Sequence, residues 1–417
     1  MLYIGILLVI ATLCLIVKRY ETRMVLVVSG IVMCCVAGAP IKALDAFAKG
    51  MGSGMISSAC SSMGFALVMR YTGCDKHLIS ALAKVLTKVR FLVIPGVVLG
   101  TFLVNMALPS AAGTAASAGA IFIPIMMGLG IHPALAAAAV KCGTYGSMLN
   151  PGLAHNPFVA KIAGVGVMDV IAFHWKANIA SLIVACIAIT AIAYFMKEED
   201  GHYAEDLKID NDFKIKPLYA LMPMVPIVIL LLGATKIVPI FKMGVAQAMI
   251  IGVLLSFFVT RTDPTKMTKE FFDGMGKAYG DIIGIIIAAG VFVAGMNALG
   301  LVKAFINAMV SNPAIAKICA SVGPFVLAVI VGSGDAATFA FNEAVTPSAA
   351  SFGMTPVQMG SLATLAGTLG RTMSPLAGAT IIVAGIAGVN PMEVAKRNVI
   401  PMVLALIVGC SVLFMQG

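Results

Sequence analysis

The sequence predicts an all-α membrane protein, with about ten transmembrane helices and two re-entrant hairpins in two inverted repeats. Hydrophobic residues make up 60% of the 417 residues, and charged residues make up only 11%. The mean hydropathy is +1.03. A soluble domain carries about 25% charged residues, so a chain this apolar cannot cover a surface that faces water. A third observation, an internal duplication, divides the chain into two similar halves.

Apolar runs near the length of a transmembrane helix, about 20 residues, account for much of the chain. They cover 2–17, 24–38, 51–69, 171–196, 217–233, 244–260, 281–300 and 398–415. Two other stretches, 91–168 and 315–392, are apolar but contain many Gly, Pro, Ser and Thr residues. Irregular backbone at membrane depth is tolerated only where protein buries it or where it lines a wet cavity. We therefore expect each stretch to hold a hairpin, a broken helix and the functional residues.

The two irregular stretches are similar to each other. Residues Gly143–Val170 align with Gly367–Val394 without a gap, and a shift of one residue aligns Ser110 with Ser333. Composition does not explain identical proline, methionine and Gly-Thr positions in one register. If each hairpin enters and leaves on one side, an odd number of crossings remains in each half, which predicts inverted halves.

The duplication predicts the domain organisation. The first repeat covers 1–196 (scaffold spans 1–90, hairpin and broken helix 91–196), a cytoplasmic linker covers 197–216, and the second repeat covers 217–417 (scaffold spans 217–312, hairpin and broken helix 313–417). Basic residues are retained on the cytoplasmic side of membranes, and their distribution places the N-terminus outside.

Charge and motifs exclude several classes of function. The net charge of +10 comes from basic residues scattered among loops, which is typical of membrane orientation and not of nucleic-acid binding. The nine cysteines show no CxxC spacing, so neither a disulfide framework nor a metal site is predicted. No catalytic or nucleotide-binding motif stands in a fitting context. The sequence therefore predicts neither an enzyme nor a cofactor.

Four breaks in apolar sequence are the candidate binding elements. Two are the proposed hairpin tips, Pro109–Thr114 and Gly332–Thr338, and two interrupt the following helices, Ser147–Gly152 and Arg371–Pro375. Paired broken helices are typical of secondary transporters, where half-helix N-termini bind anions at mid-membrane. The alternative is that the small residues only allow close helix packing.

Charged residues in the second half strengthen this interpretation. Asp335, Glu343 and Arg371 lie in or beside the breaks, where ionisable groups are costly and usually functional. Arg371 is the candidate for binding a carboxylate because its planar group donates two hydrogen bonds at once. Asp335 and Glu343 are candidates for a coupling ion or for balancing the charge of Arg371. A structural ion-pair network is the alternative, and Lys141 is as compatible with pairing as with ligand contact.

Two histidines suggest a proton relay. His155 follows the first break, and its role stays open between a relay and a structural contact. His174 precedes Trp175 and Lys176, a pattern typical of a membrane-interface anchor.

The motifs resemble those of a known family. The stretch VGSGDAATFAFNEAVTPSAASFGMTP (Val331–Pro356), followed by GTLGRTMSPLAGATIIVAGIAGV (Gly367–Val389), is similar to the anaerobic C4-dicarboxylate carriers of the DcuC type, in the ion-transporter superfamily. Elevator transporters of that superfamily bind substrate at Ser-Asn-Thr-like hairpin tips and at Thr-Pro or Asn-Pro breaks. The matching positions here are Ser110, Gly113, Thr114, Asn150, Pro151, Ser333, Gly334, Asp335, Thr338, Ser374 and Pro375. Thr372, in the second break, is a further candidate for binding the substrate. Small residues replace the Asn of the tips, which leaves sodium sites unassigned.

The resemblance implies a multi-pass elevator transporter of the bacterial inner membrane. Its substrates would be succinate, fumarate and related diacids, carried by efflux or exchange, with a proton or sodium as a possible coupling ion. Relatives of this kind imply a homodimer in the lipid bilayer. A cation/proton antiporter using Asp335 and Glu343, and a carrier of another organic anion or an amino acid, stay open as alternatives.

Overall fold

The computed structural model describes residues 1–18, 20–52, 56–86, 92–202, 213–234, 239–310 and 313–416. These residues form helices and turns, and none of them forms a strand. The helices of the first half are α1 (Leu2–Val17), α2 (Thr22–Val36), α3 (Ile41–Met51), α4 (Ile56–Tyr71), α5 (Cys74–Leu86), α6 (Val93–Ala107), α7 (Ala111–Gly128), α8 (Pro133–Cys142), α9 (His155–Ala163) and α10 (Val167–Met196).

The second half has the same kind of architecture. Its helices are α11 (Pro217–Leu221), α12 (Val225–Ala234), α13 (Val245–Thr260), α14 (Pro264–Ala278), α15 (Gly284–Ala298), α16 (Leu301–Val310), α17 (Pro313–Val331), α18 (Gly334–Ala344), α19 (Pro356–Met373), α20 (Gly378–Ala387) and α21 (Pro391–Met415). A π-helical turn at Tyr279–Ile283 joins α14 to α15, and 3₁₀ turns occur at Gly146–Leu149 and Thr346–Phe352.

Several helices are long and apolar enough to cross a membrane. Within the described residues, six helical segments meet that criterion, or seven if α3 and α4 form one bent span. The six are Ala111–Gly128, Val167–Met196, Pro217–Ala234, Pro264–Ala298, Pro356–Ala387 and Pro391–Met415. Five shorter apolar helices lie among them, and the predicted count of about ten spans is not confirmed by helix length. The chain is a multi-pass, all-helical membrane protein.

The helix order of the first half recurs in the second. The pair α6–α7 corresponds to α17–α18, the pair α8–α9 to α19–α20, and α10 to α21. Helix α7 begins at Ala111 and α18 at Gly334, which are 223 residues apart, and α10 begins at Val167 and α21 at Pro391, which are 224 apart. The sequence duplication thus extends to the positions at which helices begin.

One helix crossing recurs with the same residue types in both halves. A Cβ atom on Gly146 would overlap the backbone carbonyl of Phe102 in α6, and one on Gly370 would overlap that of Phe325 in α17. Glycine is required at both positions because the neighbouring backbone occupies the space of a side chain. The two glycines are 224 residues apart and the two phenylalanines 223, which is the offset of the aligned serines.

Each half packs one helix against two helices of the other half, which we call exchanged packing. Helix α4 of the first half packs on α13 and α14, while α15 of the second half packs on α2 and α3. Helices α10 and α21 pack along each other, and Ser181 Oγ donates a hydrogen bond to the Ala405 carbonyl there (2.8 Å). Large apolar side chains on the outer face of α10, such as Ile187 and Phe195, remain exposed, which is expected where lipid is the solvent.

Candidate functional site

The first predicted hairpin tip is a sharp turn between α6 and α7. Ser110 has an extended backbone and caps α7, because its Oγ accepts a hydrogen bond from the Gly113 amide (3.1 Å). Thr114 is buried, and its hydroxyl donates to the Leu108 carbonyl (3.3 Å). The side chain of Asn105 accepts from the Ser147 amide (2.8 Å), so the tip is joined to the first helix break.

The second tip joins α17 to α18 in the corresponding way. Ser333 has the extended backbone of an N-cap, but its side chain caps no amide. Gly334 packs against α19, where an added Cβ would lie 2.6 Å from the Gly367 carbonyl oxygen. Thr338 is buried and donates weakly to the Ala363 carbonyl (3.4 Å). Close backbone packing therefore fixes the second tip.

The first break separates α8 from α9, as predicted. The side-chain nitrogen Nδ2 of Asn150 donates to the Met106 carbonyl (2.7 Å), and its side-chain oxygen accepts from the Gly152 backbone amide (2.7 Å). The backbone carbonyl of Asn150 accepts from the Asn156 side chain (2.9 Å). Pro151 is buried within this turn. Asn150 thus stabilises unwound backbone with both ends of its amide.

The second break separates α19 from α20. Ser374 Oγ donates to the Val329 carbonyl (2.7 Å) and accepts from the Leu376 amide (3.1 Å). The Ser374 carbonyl accepts from the Thr380 hydroxyl (2.7 Å), and Pro375 follows in the turn. The hydroxyl of Thr372 donates back to a carbonyl of its own helix. These hydrogen bonds stabilise the unwound backbone of the second break.

The two tips, Arg371 and the residues that follow the two breaks line one cavity of about 560 Å³. Four helices begin at its wall: α7 after Ser110, α18 after Ser333, α9 at His155 and α20 at Gly378. Of the predicted site residues, the structure brings Ser110, Gly113, Ser333, Asp335 and Arg371 to the cavity wall. The others lie behind the wall: Thr114, Asn150, Pro151, Gly334, Thr338, Thr372, Ser374 and Pro375.

Arg371 and Asp335 provide opposite charges on this wall. Arg371 donates from Nη2 to the Thr144 carbonyl in the first break (2.9 Å), whereas its buried Nε has no hydrogen-bond partner. Asp335 accepts a hydrogen bond from His155 Nε2 (2.9 Å). The His155 ring is stacked on Phe339 with centroids 4.3 Å apart. His155 therefore positions the Asp335 carboxylate at the cavity wall.

Another part of the cavity lining comes from α4 and the α14–α15 junction. It contributes Arg70, Lys277 and Asp281, and Arg70 donates to the Gly113 carbonyl at the first tip (3.2 Å). Arg23 lies 3.6 Å from the Asp281 carboxylate, in an adjoining cavity that shares Asp281 and Asp335. Arg70 was not predicted as a site residue, because a basic residue at the end of an apolar span is typical of membrane orientation.

Glu343, Lys141 and His174, which the sequence singled out, do not line this cavity. Glu343 is exposed and lines a separate cavity of about 490 Å³ together with Lys42, Lys49 and Lys161. The interpretation of His174 as a membrane-interface anchor is wrong, because the side chain is buried.

His174 Nε2 donates to the Met148 carbonyl at the first break (3.0 Å). Lys141, expected at membrane depth, is fully buried, and its Nζ has no hydrogen-bond partner.

Comparison with known proteins identifies the family of this chain. Residues 62–417 match the family model described as DcuC, the C4-dicarboxylate anaerobic carriers. The chain belongs to this family. It is 27% identical over 373 residues to the anaerobic C4-dicarboxylate transporter DcuC of Escherichia coli K12, covering 85% of this chain and 78% of that protein.

Two further similarities agree with membership in a transporter family. A putative uncharacterized transporter of Haemophilus influenzae is 40% identical over 272 residues, covering 62% of this chain and 98% of that protein. The YdaH transporter of Alcanivorax borkumensis has a similar fold, with a TM-score of 0.61 over 89% of this chain and 86% of that one. At 16% identity, this second likeness concerns the fold alone.

Proposed function

We propose that this protein is a secondary transporter of C4-dicarboxylates such as succinate and fumarate, working by efflux or exchange across the bacterial inner membrane. One observation carries the proposal: four helix N-termini and Arg371 surround a single cavity between the two halves. The names of the family and of its Escherichia coli member supply the substrate class. The protein acts as a carrier and not as an enzyme.

The electrostatics of the cavity suit a doubly negative molecule. A helix N-terminus is equivalent to about half a positive charge and offers unpaired N–H groups, so four of them supply roughly two. Arg371 adds a full positive charge, with an Nε–H that no protein group accepts. Arg70 lines the same cavity. A short diacid binds between these groups, with its two carboxylates near positive charge.

The residues at the site divide into two roles. Ser110, Gly113, Ser333 and Arg371 contact the substrate, since they line the cavity. The residues behind the wall shape the unwound backbone that presents N–H groups to it. These are Thr114, Asn150, Pro151, Gly334, Thr338, Thr372, Ser374 and Pro375.

The transport cycle is that of an elevator built from two inverted repeats. In each repeat the hairpin and broken helix (91–196 and 313–417) move as one body, and the scaffold spans (1–90 and 217–312) stay fixed, joined by a cytoplasmic linker at 197–216. The recurring helix order and the exchanged packing of α4 and α15 support a two-fold relation. A homodimer, in which the scaffolds pair, completes the proposed assembly.

The cavity faces the cytoplasm in this conformation. Arg70 lines this cavity and Arg23 lines the adjoining one, and both belong to the basic residues that the charge distribution places inside. A carrier open to that side loads succinate from the cytoplasm for efflux.

Reconstituted vesicles test the proposal directly. Vesicles loaded with unlabelled succinate should accumulate labelled succinate by exchange, and external fumarate should compete. Glutamate and an N-acyl amino acid, added at equal concentration, test whether the carrier takes another organic anion. A cation/proton antiporter would instead move sodium or protons without any diacid. Cation flux without succinate exchange would refute the proposed function.

A further inference from the structure

Asp335 places a carboxylate in the cavity that is proposed to receive carboxylates. It is the second residue of α18, and its side chain keeps 34% of its surface accessible. His155, at the start of α9, holds it through the 2.9 Å hydrogen bond. Arg371 lines the same cavity, and its Cβ would lie 3.4 Å from a Cβ added to Gly334, the residue before Asp335. An anion at this position competes with any substrate for the same donors.

The charged groups around Asp335 fall into two sets. Within the hairpins and broken helices, Asp335 and Arg371 bring one negative and one positive formal charge to the cavity lining, and His155 holds Asp335 by a hydrogen bond. On the scaffold wall, Arg70 and Lys277 stand beside Asp281, which Arg23 approaches. The proposed moving body therefore carries no net formal charge at its site when substrate is absent.

On the basis of the proposed function, we infer that Asp335 is a tethered counter-anion, which occupies the cationic site of the empty carrier. Its role is to let the empty carrier return across the membrane. The carrier thereby catalyses net flux as well as exchange of one substrate molecule for another.

An unpaired charge is costly to move through the lipid bilayer. Without Asp335, the empty moving body would take Arg371 through the membrane with no counter-ion, and a lone arginine there is strongly disfavoured. The loaded body would not suffer, because the diacid itself neutralises Arg371. Loss of Asp335 should thus slow only the return of the empty carrier across the membrane. It should also remove a negative charge that repels the substrate.

The variant Asp335→Asn separates the two steps. Exchange is measured as uptake of labelled succinate into succinate-loaded vesicles. Net flux is measured as efflux into succinate-free buffer, with the membrane potential collapsed. We expect the ratio of net efflux to exchange to fall by about tenfold or more relative to the unsubstituted protein. The variant Asp335→Glu should restore net efflux because it restores the carboxylate.

Glu343→Gln is the matched control, since Glu343 is the other acidic residue of α18 and lies outside the cavity. It should leave the ratio of net efflux to exchange unchanged. If Asp335→Asn does not fold, Asp335→Ser makes the same test. An unchanged ratio in the Asp335 variant, or equal loss of both modes, would overturn the inference and leave the carrier function intact. Absence of succinate exchange in the unsubstituted protein would instead refute the proposed function.

Discussion

Arg371 of the second half donates a hydrogen bond to the backbone carbonyl of Thr144 in the first half, at 2.9 Å. This bond connects the last turn of α19 to the unwound segment after α8, so each break helps to position the other. Only one edge of the guanidinium is used, and Nε stays without a partner beside the cavity. The arginine is thus oriented by protein at the wall of the cavity.

Replacing Arg371 with alanine should reduce succinate exchange by about 10- to 100-fold, because a hydrogen bond to a charged group contributes about 1.5–3 kcal/mol. The exchange rate of Arg371→Lys should lie between those of the unsubstituted protein and Arg371→Ala, since lysine keeps the charge but lacks the planar pair of donors. Initial rates over a range of succinate concentrations provide the measurement.

Arg261→Ala is the matched control for this loss, because Arg261 is exposed at the C-terminal end of α13. Melting temperatures in detergent separate a lost ligand contact from the lost bond to Thr144. More than half of the normal exchange rate in Arg371→Ala, with an unchanged melting temperature, would remove Arg371 from the site.

The two serines at the hairpin tips should differ in their effect on stability. Ser110→Ala removes the hydroxyl that caps α7 and should lower the free energy of unfolding by about 1 kcal/mol. Ser333 makes no such cap, so Ser333→Ala should leave stability nearly unchanged. Thermal unfolding of the two variants side by side gives the comparison. Equal destabilisation would mean that the side chains act alike despite their different contacts.

Sequence patterns were sufficient to locate the helix breaks, but not to assign the contacts of their side chains. Proline and glycine made the breaks at Asn150–Pro151 and Ser374–Pro375 visible, since neither continues a helix easily. The sequence cannot show whether a polar side chain faces the cavity or the backbone. Asn150 and Ser374 turn to carbonyl groups of α6 and α17, which the chain brings near only on folding.

Residues recruited from distant segments were the least predictable. Arg70 reaches the cavity because α4 packs on α14, and its position at the end of an apolar span predicts no more than membrane orientation. Conversely, Glu343 shares a helix with Asp335, but eight residues of helix place it away from the cavity, near Lys161. Sequence proximity to a break is therefore a weak guide to contact.

The paired glycine crossings should be equally intolerant of a side chain. Gly146→Ala and Gly370→Ala each place a methyl group against a backbone carbonyl, and each should destabilise the protein by about 1–3 kcal/mol. Gly385→Ala, in α20, is the control, because no atom lies within 4 Å of the added carbon. Folded yield and melting temperature measure the effect. A strong effect at only one of the two sites would argue against equivalent crossings in the two halves.

His132, at the N-terminal end of α8, should make stability depend on pH. His132 caps α8 by accepting the Ala134 amide at Nδ1 (3.2 Å), and its ring lies 3.8 Å from Glu198, which pairs with Arg397. Burial lowers the pKa of His132, although the charge of Glu198 acts in the opposite direction. The unfolded chain thus binds the proton more readily, and protonation at Nδ1 would also remove the cap.

It follows that the stabilising contribution of neutral His132 is complete above the ordinary histidine pKa of about 6.5 and is lost as the pH falls below it. Between about pH 7.5 and about pH 5.5, the melting temperature should fall by about 1–3 °C more in the unsubstituted protein than in His132→Asn. Asparagine keeps a capping oxygen but does not titrate, so it isolates the proton from the hydrogen bond. Melting curves of both proteins across this range decide the matter, and parallel pH profiles would assign the dependence to other groups.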